Sequence, residues 1–417
     1  MSGPSLQRRL GLGDAVVIGL GSMIGAGVFA VWAPAAQAAG TGLLLGLAIA
    51  AVVAFGNATS SAQLAAAHPT SGGTYAYGRA ELGPWWGFVA GWGFVVGKTA
   101  SCAAMALTFA AYAAPPGWER PLAIAAVAAL AVVNGFGVTR TAQFTRFVVV
   151  AVLAVLAVAV TAAAAAPDSP GWLAPPAEWP GGFYGVLQSA GLIFFAFAGY
   201  ARIATLGEEV RTPARTIPRA IVIALTATLV VYAAVAVAVL SALGPEVTAA
   251  SIQPVADAAA ASGWSWTSPV VRAGAAAAAL GALLALIAGV GRTAFAMARE
   301  RDLPHALAAV HPRWRVPRRA EYAIALVVIA IVAVVELRGA IGFSSFGVLT
   351  YYLVANIAAL RQATAARRYP RALAAVGATG CVVLAVTLPW QSVVTGAAVL
   401  AVGVASRAVR LRLTRAA

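Results

Sequence analysis

Charge is what this chain of 417 residues has least of, with 13 acidic and 28 basic side chains making up 10% of it. A soluble globular domain carries about 25%. Together with 61% hydrophobic residues and a mean hydropathy of +0.87, that scarcity excludes a soluble domain and leaves an integral membrane protein. Histidine is scarce too: His68, His305 and His311 all fall between apolar segments, away from the clustered His and carboxylate ligands a membrane metal hydrolase needs. The 2 cysteines, Cys102 and Cys381, sit singly in apolar segments, with neither metal-ligand spacing nor a disulfide framework. Lysine occurs once, at Lys98, so only the weak pairing with Ser101 offers a base beside an intramembrane serine nucleophile. No metal, no cofactor and no enzymatic activity are expected. No small-residue cleavage site follows Arg8 and Arg9, and the first apolar run reads as a retained span, not a signal peptide.

Arginine, alanine and long apolar runs are what the chain does have. A net charge of +15 would suggest nucleic acid in a soluble protein, but here the arginines crowd short connections, where they set topology. The expected partner is the lipid bilayer, with no nucleic acid. The alanine–arginine bias is that of a GC-rich bacterial coding sequence. At about 20 apolar residues per span, twelve candidate spans fall at 14–36, 42–66, 84–113, 121–138, 146–166, 183–206, 219–243, 269–297, 320–336, 341–361, 371–388 and 391–406. With the amino terminus inside, the cytoplasmic side collects Arg79, Arg140, Arg146, Arg211, Arg215, Arg219, the arginines of 299–319, those of 361–371 and the basic tail at 407–417. The opposite side holds only Arg120, Arg272 and Arg338. This predicts a multi-pass protein of the cytoplasmic (inner) membrane with both termini in the cytoplasm and one polytopic domain.

The first span is interrupted by Gly21-Ser22-Met23-Ile24-Gly25-Ala26-Gly27-Val28-Phe29. Glycine disfavours helix by about 1 kcal/mol relative to alanine, and irregular backbone at membrane depth is tolerated only where it is buried in protein or lines a cavity. One reading is a broken helix whose exposed N–H and C=O groups bind a small solute. The other is close helix packing through the GxxxG pair Gly21 and Gly25. Five spans on, the sixth is interrupted at Gly191-Leu192-Ile193-Phe194-Phe195-Ala196-Phe197-Ala198-Gly199-Tyr200. Interruptions at corresponding places in two halves point to an inverted-repeat transporter. Any one of these phenylalanines serves ordinary packing, but Phe195 and Phe197 flank the break, where a ring can close over a solute.

These runs resemble the amino acid–polyamine–organocation (APC) transporters: GSMIGAGVF in span one, FFAFAGY in span six followed by Glu208-Glu209-Val210-Arg211-Thr212-Pro213 and Ile217-Pro218-Arg219, and Ala298-Arg299-Glu300-Arg301-Asp302-Leu303-Pro304 after span eight. The resemblance covers spans one to about ten. It implies an all-α membrane protein of about twelve transmembrane helices with a leucine-transporter-like fold. Two inverted five-helix repeats would occupy 1–182 and 183–361, with broken helices one and six, and 371–406 would add two carboxyl-terminal helices. The site would lie between spans one, three, six, eight and ten. In such a site the first break holds a substrate carboxylate on backbone N–H groups, which a half-helix N-terminus presents together with partial positive charge. By motif position these are Ser22, Met23, Ile24, Gly25, Ala26 and Gly27. Contacts to the substrate amine would come from Phe194, Phe195, Ala196, Phe197 and Ala198, with Phe195 also the gating aromatic. Glu208 and Glu209 would belong to an intracellular gate; as plain sequence they are a solvated cluster capping the next helix.

Some positions depart from the pattern. Cationic members often carry an acid just after the FxG(Y/F) run, where this chain has Ala201 and then Arg202, so a cationic substrate loses its expected counter-charge. Arg202 would snorkel or bond the freed carbonyls of the break. Lys98 is an ionisable residue inside a span and so a functional candidate, for proton coupling or substrate binding, against a structural role bonded to helix-end carbonyls. The lysine that some proton-coupled members carry in span five has no counterpart, since 149–152 is wholly apolar. Sodium coupling is disfavoured, because 282–291 in span eight has no hydroxyl and sodium needs several hard oxygen ligands. The expected function is a secondary transporter for amino acids or related amines, working by alternating access and coupled to a proton. An amino acid exchanger (antiporter) and a non-transporting, permease-like sensor or accessory subunit remain the alternatives.

Overall fold

Within lipid each segment must pair its own backbone groups, so the apolar runs have one economical solution, the helix. A computed structural model of the chain describes residues 10–68, 70, 72–137, 142–167, 179–207, 209–314 and 316–416. Its helices are, in order, α1 (Leu12–Met23), α2 (Gly27–Ala30), α3 (Trp32–Ala39), α4 (Leu43–Ala67), α5 (Gly73–Leu82), α6 (Pro84–Ala113), α7 (Glu119–Gly135), α8 (Ala142–Ala164) and α9 (Gly182–Phe197). There follow α10 (Ala201–Ala204), α11 (Pro213–Ala250), α12 (Pro254–Ala260), α13 (Thr267–Arg299), α14 (Arg318–Val334), α15 (Leu337–Arg361), α16 (Arg371–Thr387) and α17 (Trp390–Ala416). Among the described residues there is no β-strand, only an isolated parallel bridge between Leu10 and Val210.

Nine helical stretches of the described residues are long and apolar enough to cross a membrane, and α16 is a shorter apolar helix. α7 and α14 have 17 residues each, the lower end of the spanning range. Several helices run past the apolar segments. α11 starts at Pro213, ahead of the expected span at 219, because the turn bearing Arg215 continues the helix before the apolar run begins. α13, with 33 residues, is about 50 Å long at 1.5 Å per residue and must project from a core about 30 Å thick. α11 bends at Gly244, whose φ of 72° needs glycine, immediately before Pro245.

α6 is the axis of the bundle, packed along both α15 and α13. Its contact with α15 is backbone on backbone: a methyl placed on Gly347 would stand 2.7 Å from the Gly93 carbonyl and 2.7 Å from the Gly97 Cα. Small residues spaced four apart allow this approach where no hydrophobic force draws helices together. α1 lies against α11 and α8, and α9 against α4 and α3.

One end of the bundle gathers Leu10, the 209–213 turn, α5, the 300–317 loop, the 362–370 loop and the end of α17, tied by polar contacts. The Leu10 N–H donates to the Glu209 carbonyl (3.0 Å), and the Arg211 N–H to the Leu10 carbonyl (3.1 Å). Asp302, buried in the same end, accepts from the Tyr75 hydroxyl (2.8 Å), from Arg79 (3.1 Å) and from Arg407, while its backbone carbonyl accepts from Arg410 (3.0 Å). Arg407 also lies over the Phe88 ring, 4.8 Å from its centroid. Burial, then the hydrogen bond and charge of Asp302, push the Tyr75 hydroxyl above the ordinary tyrosine range. In sequence Asp302 is one charge of the loop motif after span eight; in the fold it is the hub that fastens α17 to the loop after α13.

Candidate functional site

Both expected interruptions are present, and they face each other. α1 ends at Met23; Ile24 takes φ −84° and ψ 48°, its N–H still bonding the Leu20 carbonyl (2.7 Å), and helix resumes at Gly27. The second, milder break is a 3₁₀ turn, Ala198–Tyr200, between α9 and α10. Glycine at two places lets the breaks touch. A Cβ on Gly27 would lie 2.8 Å from the Cα of Ala196, and one on Gly199 would lie 2.7 Å from the Met23 amide nitrogen. The GxxxG alternative fares differently. Gly21 faces side-chain methyls of Val149 and Thr145 on α8, and Gly25 faces the Ala282 methyl on α13, so this pair makes room beside small side chains and joins no two backbones.

A helix end leaves carbonyls without intrahelical partners, and side chains converge on them here. The Tyr232 hydroxyl of α11 lies 2.6 Å from the Met23 carbonyl and 3.0 Å from that of Ala196, its single proton shared between the two breaks. The Ala198 carbonyl accepts from the Tyr352 hydroxyl of α15 (3.2 Å) and from Lys98 Nζ of α6 (3.4 Å). Lys98, buried, is thus brought to the second break, beside a link between α6 and α15 in which Ser101 Oγ and Ser344 Oγ stand 2.6 Å apart. Aromatic rings pack around this centre: Phe197 on Tyr232 (centroids 5.0 Å apart), Phe194 edge-on to Tyr352 (5.9 Å), and Phe29 edge-on to Tyr112 (5.7 Å), whose hydroxyl donates to the Phe29 carbonyl (3.1 Å).

Met23, Ile24, Gly25, Ala26, Gly27 and Phe194 to Ala198 are all buried, and Ser22, half-buried, donates its hydroxyl to the Ile18 carbonyl (2.8 Å). Ile24 and Gly25 line a narrow cleft between α1, α8 and α13, whose other walls are Gly21, Thr145, Val148, Val149, Val152, Ala278, Gly281 and Ala282. Thr145 is the one side-chain oxygen in that lining, a poor cage for a hard cation.

Of the two expected gate carboxylates, Glu208 lies outside the described residues. Glu209 sits at the foot of both broken helices through the Leu10 bridge. Arg202 is exposed and donates to Thr205 Oγ1 (3.4 Å), so it turns to a neighbouring hydroxyl and not to the carbonyls of the break; its charged neighbours are Arg292 and Glu209. Asp14 accepts from the Gly11 N–H (3.0 Å) and pairs with Arg146 (3.1 Å).

The sequence reading names no acid inside a span as a site candidate, and the structure adds one. Glu321, in the first turn of α14, is 2% exposed, with its Cγ and backbone packed against Gly291 of α13 and Arg292 as a charged neighbour. Two residues after Arg319, it looks in sequence like the end of the charge run at 313–319. Tyr232 was missed as well. Its signal was a lone tyrosine in a long apolar run, because a buried phenol needs a hydrogen-bond partner.

Residues 14–409 match the model of the amino acid permease family. An uncharacterized transporter of Mycobacterium tuberculosis (strain ATCC 25618 / H37Rv) is 59% identical over 416 residues, covering 99% of this chain and 93% of the relative. A branched-chain amino acid permease of Bacillus subtilis (strain 168) is 25% identical, over 94% of this chain and 90% of the relative. Cationic amino acid transporter 4 of Homo sapiens is 28% identical, over 84% of this chain and 58% of the relative.

Proposed function

The chain belongs to the amino acid permease family and is a multi-span membrane transporter, and from that premise we propose that it moves an amino acid or related amine across the cytoplasmic membrane by alternating access, coupled to a proton. The observation that carries this reading is the pair of facing breaks, with Lys98, Tyr232 and Tyr352 all directed at their carbonyls. In the proposal the N–H groups from Gly25 to Gly27 hold the carboxylate, since a helix start is a ready anion site, while Ser22, Met23 and Ile24 close the end of α1, where the Ile24 N–H is already taken by the Leu20 carbonyl. The carbonyls from Phe194 to Ala198 hold the amine, a role consistent with their present occupation by two phenols and an ammonium. Phe195 closes over the solute, and Glu208 with Glu209 belongs to the gate at the foot of the broken helices. Lys98 carries the coupling proton or contacts the solute.

The proposed topology is twelve spans: two five-helix repeats, 1–182 and 183–361, then two further helices within 371–406, with both termini and the 407–417 tail in the cytoplasm. The arginine-rich end of the bundle supports that orientation. The three arginines expected on the other side each donate to an oxygen of the protein: Arg120 to the Ala333 carbonyl, Arg272 to that of Tyr112, and Arg338 to the amide oxygens of Gln37 and Gln188.

The test is uptake of a panel of radiolabelled amino acids into proteoliposomes, with and without an inward proton gradient. Saturable uptake of one or a few, raised by the gradient, is expected. Uptake that requires preloading would replace coupling by exchange. Ligand-induced thermal stabilisation with neither uptake nor exchange would make the protein a sensor.

A further inference from the structure

At the arginine-rich end a second, shallow cleft opens between α4, α15 and the start of α16. Its polar lining is Thr59, Ser60, Gln63, Arg367, Tyr369 and Arg371, with no carboxylate among its lining residues. Ser60 is 3% exposed, and its hydroxyl has no hydrogen-bond partner. A buried polar group left unsatisfied is costly, and this hydroxyl belongs to a residue that lines the cleft. The Nε of Arg367 is likewise buried without a partner, although the same guanidinium holds the Leu360 carbonyl (3.3 Å). The 17-residue helix α16 begins directly after Pro370, and no side chain caps its N-terminus. Its leading N–H groups and partial positive charge favour an anion. The cleft is held in shape from behind: Gln63 Oε1 accepts the N–H groups of Arg368 (3.1 Å) and Tyr369 (3.2 Å), fixing the loop to α4.

We propose that this cleft binds a phosphate group, presented by a phospholipid headgroup or by free inorganic phosphate, a proposal that rests on reading the chain as a membrane protein but not on its substrate. Two guanidinium groups, a hydroxyl donor and an uncapped helix N-terminus match the several oxygens and the charge of a phosphate. Basic pockets between transmembrane helices suit anionic headgroups, and Leu373 and Ala374 in the wall give a lipid an apolar edge along which to leave. A bound phosphate would clamp α4 to α15 and α16, and α15 carries Tyr352 and Ser344 to the transport site.

Thermal unfolding of the full-length protein tests this, in detergent with inorganic phosphate and in nanodiscs of phosphatidylglycerol against phosphatidylcholine. Arg371→Gln and Ser60→Ala remove two of the proposed donors without touching the bonds that fix the loop. Arg361→Gln removes an exposed arginine outside the cleft as a control. Stabilisation by phosphatidylglycerol alone identifies a headgroup site, and stabilisation by millimolar phosphate identifies a free-ion site. Either is expected to weaken about five-fold in Arg371→Gln, to fall in Ser60→Ala and to persist in Arg361→Gln. Stabilisation by neither probe, or a loss that is the same in Arg361→Gln as in the cleft variants, overturns the proposal. Neither result depends on transport activity.

Discussion

Lys98 is the residue on which the proposed coupling turns. A buried ammonium needs acceptors, and the Ala198 carbonyl at 3.4 Å is at the long limit for a hydrogen bond. That loose contact is compatible with a side chain that changes partner when a solute or proton arrives. Lys98→Ala is expected to abolish stimulation of uptake by a proton gradient while exchange between preloaded and external substrate persists. Unchanged gradient dependence would return Lys98 to a structural role. Lys98 could be singled out from the sequence because it is the one lysine and lies mid-span. Its partner could not, since the Ala198 carbonyl is offered only by a break 100 residues further on. Tyr232 shows the same limit: its hydroxyl meets carbonyls at positions 23 and 196, and no local pattern encodes that meeting.

Between elements, glycine and one carboxylate do most of the joining. The breaks themselves were legible, since glycine density marks the weak points of a helix. Which glycine touches what was not. The spacing of Gly21 and Gly25 suggested a backbone contact, whereas the backbones meet at Gly27 with Ala196, at Gly199 with Met23, and at Gly347 with Gly93 and Gly97. Periodicity reports that a face is small; it does not name the neighbour. Asp302 was read from its loop position, and the loop folds inward. Removing its charge leaves Arg407, nearly buried, without its carboxylate, so Asp302→Asn is expected to destabilise the protein by about 3–5 kcal/mol. Thermal unfolding checks this; a midpoint equal to wild type would show that α17 is held by packing alone.

For the whole molecule, hydropathy carried the all-helical architecture, because a bilayer permits little but helices; the arginine placement remains the basis of the proposed topology. Charges next to a span boundary were the weak point. Glu321 falls within the expected span at 320–336 and was passed over as a boundary charge, because a first-turn residue can face either water or a neighbouring helix, here α13 at Gly291. The account as a whole stands on the first break as a carboxylate cradle. A Cβ on Gly25 would already lie 3.0 Å from the Ala282 Cβ in the cleft between α1, α8 and α13, and a valine would push branched carbon over the N–H groups from Gly25 to Gly27. The most direct measurement is therefore uptake by Gly25→Val beside wild type in proteoliposomes, each protein first shown to be folded by size-exclusion and thermal unfolding. Loss of saturable uptake in the folded variant is expected; undiminished uptake would contradict the cradle and, with it, the site proposed between the two breaks.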